Sequence, residues 1–304
     1  MVKSWTKKAK GYYQHFNFFK VFTYLFLIII SYVFIFPFIY MAVTSLKSVS
    51  DLYDISVNWI PTEFHWQNYV VAYKNLDFLP HFLNSVLITT VCTIGHILSC
   101  SFVGYGFARF QFPLKKLWFT LVVLAIIIPP QVIILPLYLT YSSLGWLNTY
   151  LPLMAPTFLG YGLRGGLFIF IFRQFFIGLP ADLENAAKID GCGFLGAYFR
   201  IAFPVSRSSS LLALVLSLVW HWNDFYEPVI YLGKPKSWPL PSMLPSIYEK
   251  YQQSAAELTQ NADMVITEGV VMAATFLVII PVLIAYCFLQ KQFVQGVERS
   301  GLVE

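Results

Sequence analysis

LPADLENAAKIDGCGFLGAYFRIAFP, residues 179–204, is a long polar segment in a chain that otherwise consists mostly of apolar runs. Pro180 suits the first turn of a helix, because its missing N–H has no intrahelical partner there. Asp182 and Glu184 follow close to the helix N-terminus, where the helix dipole favours negative charge. The segment therefore predicts a short helix that begins at about residue 180.

One face of this short helix is expected to be thin, because two of its members are alanines. Helical spacing brings four side chains to that face: Leu183, Ala186, Ala187 and Asp190. Gly191 and Gly193 predict the end of the helix and a sharp turn. A second apolar segment, 194–203, carries Arg200. A short, exposed, small-faced helix at a membrane surface is suited to being bound by another protein.

Composition identifies an integral membrane protein. Of the 304 residues, 58% are hydrophobic and only 12% are charged, whereas soluble domains carry roughly 25% charged residues. The net charge of +5 indicates anchoring at a membrane rather than nucleic-acid binding. The cysteines are scattered and predict neither a disulfide scaffold nor a zinc site. The sequence contains no G-x-x-x-x-G-K-[ST] motif, the signature of a phosphate-binding loop for ATP.

Charge-free runs long enough to cross a bilayer predict an all-α protein with six transmembrane helices. A basic N-terminus, 1–20, precedes the first span, 21–46, and an extracytoplasmic loop, 47–80. A five-helix core, 81–290, includes an inner loop, 173–207, and an outer loop, 233–265. The tail is 291–304. The segment 117–163 is too long for one helix and is split into two spans by the turn-like residues 141–150.

The distribution of basic residues predicts the orientation. The segments on one side of the six predicted spans hold 14 lysines and arginines, and those on the other side hold 5. Because cytoplasmic loops carry the excess of basic residues, both termini and the loop 173–207 are expected in the cytoplasm.

Three charged side chains fall within apolar runs. Arg164 lies nine residues before Arg173, about 13 Å along a helix and therefore near mid-membrane. An unpaired arginine there costs roughly 2.5–3.5 kcal/mol. Asp224 and Glu227 lie in the outer half of the fifth span. Prolines within the third span (Pro129, Pro130 and Pro136) and near the outer end of the fifth (Pro228) indicate kinks or a cavity.

Two interpretations of these charges stay open. In the first, Asp224 or Glu227 neutralises Arg164 or caps a broken helix end. In the second, these residues line a substrate pathway together with Asn223, and Arg164 binds a carboxylate or hydroxyl groups. A metal site that includes His221 is not favoured, because residues i and i+6 diverge by about 120° around a helix.

The segment 179–204 resembles the EAA loop of ABC-importer permeases, the cytoplasmic helix that docks on the ATPase subunit. The resemblance rests on Ala186, Ala187 and Gly191, and on Ile201, Phe203 and Pro204 as the final Ile-x-Leu-Pro. Asn185 occupies the glutamate position of the motif. The carbohydrate-type variant is matched by Leu183, Glu184, Asp190 and Gly191. The resemblance implies that coupling to the ATPase involves Glu184, Asn185, Ala186, Ala187, Asp190 and Gly191.

Two further stretches are similar to carbohydrate-type permeases. Trp222, Asn223, Phe225 and Pro228 match W-N-x-F-x-x-P, and the ending QKQFVQGVERSGLVE is similar to the tail of those proteins. The resemblance is to the MalG-like permeases of maltose-type importers. It implies a type I ABC-importer permease fold, in the bacterial cytoplasmic membrane.

The resemblance also implies partners. These are a second, MalF-like permease subunit, two ATPase subunits that hold ATP and Mg, an extracytoplasmic sugar-binding protein, a carbohydrate substrate and membrane lipid. This chain is then expected to be a transporter subunit, not an enzyme, with no cofactor of its own. Contacts with the binding protein are expected at Tyr248, Gln252, Gln253, Gln260 and Asn261. A secondary active carrier is the alternative function.

Overall fold

The computed structural model describes residues 18–57, 59–162, 164–180, 191–256 and 266–299, together with Asp182, Leu183, Asn185 and Ile189. Every regular element within these residues is helical. The longer helices are α1 (Phe18–Thr44), α2 (Val49–Tyr53), α3 (Gln67–Asn75), α4 (Phe78–Arg109), α5 (Lys115–Ile127), α6 (Pro130–Ser143), α7 (Leu151–Met154), α8 (Gly165–Gly178), α9 (Phe194–Val205), α10 (Arg207–Asn223), α11 (Tyr226–Tyr231), α12 (Leu244–Ala256) and α13 (Glu268–Arg299).

The number of membrane-crossing helices depends on how the bent ones are counted. Among the described residues, α1, α4 and α13 are long and apolar enough to cross a bilayer. Two bent pairs, α5–α6 and α9–α10, bring the number to five if each pair is one span. The segment predicted as the fourth span, between the hairpin 141–150 and the loop 173–207, holds α7, a 3-10 turn at Ala155–Leu159 and the first part of α8, which continues to Gly178 within the predicted loop. The six-span count stays a prediction.

The third and fifth predicted spans are broken rather than continuous. α5 and α6 meet at a bend of 106°, where Ile128 and Pro129 are extended. Pro129 and Pro130 both lack the N–H that a continuing helix needs, so the helix ends before them. The fifth run, predicted over 205–232, is interrupted at Asp224, which has extended backbone angles.

Helix α4 lies at the centre of the packing, against α8 on one side and α10 on another. Around its inner half, large aromatic side chains are fully buried: Tyr105, Phe168, Phe172, Phe176 and Tyr198. At Gly104 a Cβ atom would come within 2.8 Å of Phe172 Cβ and 2.9 Å of the Arg173 backbone nitrogen. The absent side chain is therefore what allows α4 and α8 to approach so closely.

The outer end of α4 is hydrogen-bonded to the segment after α11. His81 Nδ1 lies 2.7 Å from the carbonyl of Trp238. The Asn84 amide donates to the carbonyl of Lys236 at 3.1 Å, and the Leu240 N–H donates to Ser85 Oγ at 2.7 Å. These bonds fix residues 236–240 to α4.

The remaining outer elements pack around the start of α13. Ile247 of α12 is fully buried in a cluster with Ala72, Leu76 and Val270. In the loop after α1, Thr62 donates to Asp51 from its hydroxyl (2.6 Å) and its N–H (3.0 Å), and these bonds hold the pKa of Asp51 below its usual value. Most of α1 is exposed; near its outer end the Tyr40 hydroxyl donates to Glu268 Oε1 at 2.9 Å.

Candidate functional site: an exposed coupling segment and a polar cavity

The segment after α8 begins as the sequence analysis predicts, with helical residues on the surface. Asp182, Leu183, Asn185 and Ile189 are helical and exposed. Gly191 has φ of +78° and Gly193 has φ of −70°, so Gly191 alone adopts the left-handed conformation that ends many helices. Four residues of the predicted coupling set, Glu184, Ala186, Ala187 and Asp190, lie outside the described residues.

This segment contacts the C-terminal end of α4 at two places. Arg109 donates from Nη2 to the carbonyl of Leu179 at 2.6 Å. On the other side, the ring of Phe194 lies 4.5 Å from Phe110 and 5.5 Å from Tyr105, measured between centroids. The segment is therefore held against the end of α4 on both sides of its exposed helical residues.

A third attachment lies in α9, one turn further along. Tyr198 and Ser101 share a hydrogen bond of 2.7 Å between their hydroxyl groups. This bond falls at the start of a π-helical turn, Tyr198–Ala202; such turns are frequent at functional sites.

Sequence reasoning missed the apolar side chains that this segment exposes. Ile189 is 87% exposed, and Leu195 and Phe199 are also exposed. Apolar side chains in a segment that also carries many polar residues are available for contact with another molecule. The sequence signal for these exposed side chains was Ile189, an apolar residue between two charged residues of a segment that is otherwise suited to solvent.

A largely apolar cavity that contains a few polar groups lies at the broken helices. It has a volume of about 280 Å³ and is bounded by the α5–α6 bend, the start of α8 and the start of α11. A second space of about 370 Å³ shares several of its lining residues and extends to Asp224. Tyr141, Tyr161 and Tyr231 also line the first cavity. The cavity therefore combines apolar walls with hydroxyl and charged groups, as ligand sites do.

Arg164 stands at the edge of this cavity in an unusual backbone conformation. Its φ is +64°, and it is the residue before the first turn of α8. Positive φ is uncommon outside glycine and costs of order 1 kcal/mol or more. The guanidinium carbon lies 5.5 Å from the centre of the Trp220 ring. Within the described part of the chain the guanidinium makes no ion pair with Asp224 or Glu227.

The two carboxylates have different surroundings. Asp224 accepts from the N–H groups of Tyr226 (3.1 Å) and Glu227 (3.3 Å), so its side chain caps the first turn of α11. The structure thus contains the helix cap that the first interpretation included. Glu227 lines both spaces together with Arg164. Asn223 does not line them; its amide donates to the carbonyl of Val219.

A histidine pair behind the cavity was not predicted. His221 Nε2 lies 3.3 Å from His96 Nδ1, and His96 Nε2 lies 3.3 Å from the carbonyl of Tyr161. The pair thus connects α10 and α4 to the turn that carries Arg164. Pairing across 125 residues leaves no pattern in the sequence. No group of three or more His, Cys, Asp or Glu within the described residues could hold a metal ion.

The outer candidate residues lie partly on α12. Tyr248, Gln252 and Gln253 are exposed there, on a helix whose Ile247 is buried against α3 and α13. Gln260 and Asn261 lie outside the described residues. α12 therefore presents a polar face to the surroundings while its apolar face holds it to the fold.

Comparison with known proteins gives concordant matches. The model of the family described as binding-protein-dependent transport system inner membrane component matches residues 100–299. The probable ABC transporter permease protein YurM of Bacillus subtilis (strain 168) is 30% identical over 285 residues, which are 93% of this chain and 87% of that protein. The arabinooligosaccharides transport system permease protein AraQ of the same organism is 29% identical over 281 residues, 91% of this chain and 94% of that one.

A solved structure shares the fold. It is the crystal structure of a bacterial ABC transporter involved in the import of the acidic polysaccharide alginate, with a TM-score of 0.73 and 19% sequence identity, covering 90% of this chain and 96% of that chain. The family match spans well over half of the 304 residues and includes the polar segment, α8 and the broken α10–α11 pair. The chain therefore belongs to the family of binding-protein-dependent transport system inner membrane components and is a multi-pass membrane protein.

Proposed function

We propose that the chain is a transmembrane permease subunit of an ATP-driven, binding-protein-dependent importer of oligosaccharides. The observation that carries the proposal is the family match over residues 100–299, which contain both the coupling segment and the Arg164 cavity. AraQ is named for arabinooligosaccharide transport and the transporter of similar fold for import of alginate. Both names support a carbohydrate substrate.

In this proposal the chain crosses the bacterial cytoplasmic membrane six times, with both termini inside. Residues 151–178 form the fourth crossing, and the excess of basic residues on one side supports the orientation. The chain works with a related second permease subunit and with two ATPase subunits that bind ATP and Mg. An extracytoplasmic binding protein delivers the substrate.

The segment 179–204 couples ATP use to movement of the helices. Its exposed apolar side chains, Ile189 and Phe199 among them, suit a cleft on an ATPase subunit. Its attachments to α4 at Leu179, Phe194 and Tyr198 allow little independent motion of the segment. Movement of the ATPase would therefore shift α4 and the helices packed on it, which is the basis of alternating access.

The cavity at the broken helices takes part of the substrate. Arg164 and the N-terminus of α8 present positive charge to it, which favours a carboxylate or hydroxyl groups. Tyrosine rings and hydroxyls suit sugar rings, which have one apolar face and a polar edge. The broken backbone itself is tolerated in a membrane where it borders a cavity.

Co-purification tests the proposal. The complex is purified through a tag on this chain, and its ATPase activity is measured with and without a loaded binding protein. An ATPase subunit that co-purifies, with activity stimulated by the loaded binding protein, is the expected result. A chain that transports in vesicles without any ATPase would be a secondary carrier, and the proposal would be wrong.

Replacing Arg164 tests the substrate contact. Arg164→Gln is expected to leave the complex assembled and to reduce uptake of a uronic-acid oligosaccharide by about 10-fold or more, because a hydrogen bond to a charged group contributes about 1.5–3 kcal/mol. Uptake of a neutral oligosaccharide in the same vesicles is the internal control. The measurement is the initial rate of uptake of each substrate.

Two outcomes of the Arg164→Gln experiment would contradict the substrate contact. Loss of assembly that Glu227→Gln partly restores would show that Arg164 and Glu227 form a structural pair. Parental uptake of both substrates would exclude Arg164 from either role.

Contact between α12 and the binding protein is tested by photo-cross-linking. A benzophenone side chain at Gln253 is expected to link to the loaded binding protein, because Gln253 lies on the exposed face of α12. The matched control is the same group at Gln111, which is also exposed but lies beyond the other end of α4. Absence of cross-links from Gln253, Gln252 and Tyr248 alike would remove the contact from this helix.

A further inference from the structure

A further cleft, separate from the two spaces described above, lies near the C-terminal end of α4, where the segment 179–204 is attached. It has a volume of about 670 Å³ and lies between the α4–α5 connection and the inner part of α8. Its polar and aromatic lining consists of Gln111, Phe112, Lys115, Lys116, Phe119, Thr120 and Arg173. None of the functions assigned above uses this cleft.

The cleft has a strong excess of positive charge. Lys115, Lys116 and Arg173 all line it, and no described carboxylate does. The guanidinium of Arg173 stacks on Phe119, with its carbon 3.9 Å from the ring centre. Its Nε is buried and has no hydrogen-bond partner in the described structure. Because this Nε has almost no accessible surface, a ligand in the cleft would meet the other guanidinium nitrogens of Arg173.

The first turn of α5 adds to this charge. Leu114, the residue before the 13-residue helix, has φ of +58°, and no side chain caps the first turn. Uncapped N–H groups at a helix N-terminus carry partial positive charge and bind anions. Three cations and a helix N-terminus thus point to one anionic group with several acceptor oxygens, such as a phosphate.

The surface beside the cleft favours a lipid over a free anion. Leu117, Trp118 and Leu121 of α5 are all exposed, and they continue from the basic cleft along the membrane-crossing part of the chain. A phosphate with acyl chains would fill the cleft and cover this apolar surface together. Free phosphate would leave the surface uncovered.

We propose that this cleft binds the phosphate headgroup of an anionic phospholipid in the leaflet on the coupling side. Basic pockets between helices on the cytoplasmic side are a known way of binding such headgroups. The assignment to the cytoplasmic leaflet rests on the orientation proposed above. The proposal that an anionic lipid binds does not depend on that orientation, because it is argued from the residues of the cleft and of the surface beside it.

Native mass spectrometry of the purified complex tests the proposal. Delipidated complex is titrated with phosphatidylglycerol, phosphatidylcholine and soluble glycerol phosphate, and lipid-bound species are counted. Phosphatidylglycerol is expected to bind in preference to the other two. Lys116→Gln is expected to weaken it about fivefold, and Lys116→Gln with Arg173→Gln about 25-fold, because each cation near an anionic lipid contributes comparably. The matched control, Lys291→Gln, removes an exposed cation of α13 and should leave binding unchanged.

Three results would overturn the proposal. These are equal binding of phosphatidylcholine, unchanged binding by the double variant, and soluble glycerol phosphate binding as tightly as the lipid. Lys116 is exposed, so the single variant remains informative if the double variant does not fold. If no ATPase co-purifies, the proposed function fails while the lipid titration of this chain alone still decides the cleft.

Discussion

Gly191→Pro is expected to abolish transport while leaving the chain inserted and assembled. The backbone at Gly191 has φ of +78°, and proline is restricted to about −65°. The turn after the coupling helix would therefore have to change direction, and with it the face presented to the ATPase. The measurements are substrate uptake and ATPase activity stimulated by the loaded binding protein, both of which should be lost.

Gly193→Pro is the matched control, because φ at Gly193 is −70° and lies within the proline range. No Cβ at either glycine would meet another atom within 4 Å, so the two variants differ in backbone conformation and not in crowding. Transport near the parental level is expected for Gly193→Pro. Normal substrate-stimulated ATPase activity in Gly191→Pro would remove the coupling role from this segment.

Gly104→Leu is expected to lower the stability of the folded chain by about 3 kcal/mol, the upper range for overpacking a close contact. The first added atom alone would lie 2.8 Å from Phe172 Cβ and 2.9 Å from the Arg173 nitrogen. Because one of these is a backbone atom, α4 and α8 would have to separate. A lower midpoint of thermal unfolding in detergent, with less protein recovered from membranes, is the expected measurement.

The control lies two residues further along the same helix. A Cβ at Gly106 would meet nothing within 4 Å, so Gly106→Leu adds the same side chain into open space. Its unfolding midpoint should remain close to that of the parent. Equal losses in both variants would mean that helix-wide effects, and not the α4–α8 contact, set the stability.

The sequence predicts that the fold is helical better than it predicts the positions at which the helices break. Pro129 indicates where the third run departs from a straight helix, at the 106° bend, whereas the fifth run breaks at Asp224, four residues before Pro228. The start of α8 was not predictable, because it depends on the positive φ of Arg164, the residue immediately before the helix. Only the packing of the neighbouring helices holds a non-glycine residue in that conformation.

In the candidate site, the residue types were predictable from the sequence but their contacts were not. The residue types at Arg164, Asp224 and Glu227 mark a costly polar region, which the structure places at one pair of connected spaces. The different roles of Asp224 and Glu227 were not predictable, because they depend on which backbone N–H groups donate to the Asp224 carboxylate in the folded chain. The His96–His221 contact likewise exists only once α4 and α10 are packed.

Helix α4 is bonded at both ends to segments that meet different partners in the proposed complex. Its outer end holds residues 236–240 through His81, Asn84 and Ser85, and its inner end holds the start of the coupling segment through Arg109. With 32 residues it is about 48 Å long. In the proposed complex, a force applied at the ATPase would tilt this helix as one stiff body, and the loop held at its other end would be displaced with it. Mechanical work would then cross the membrane through the backbone of a single helix, while the substrate cavity changes shape beside it.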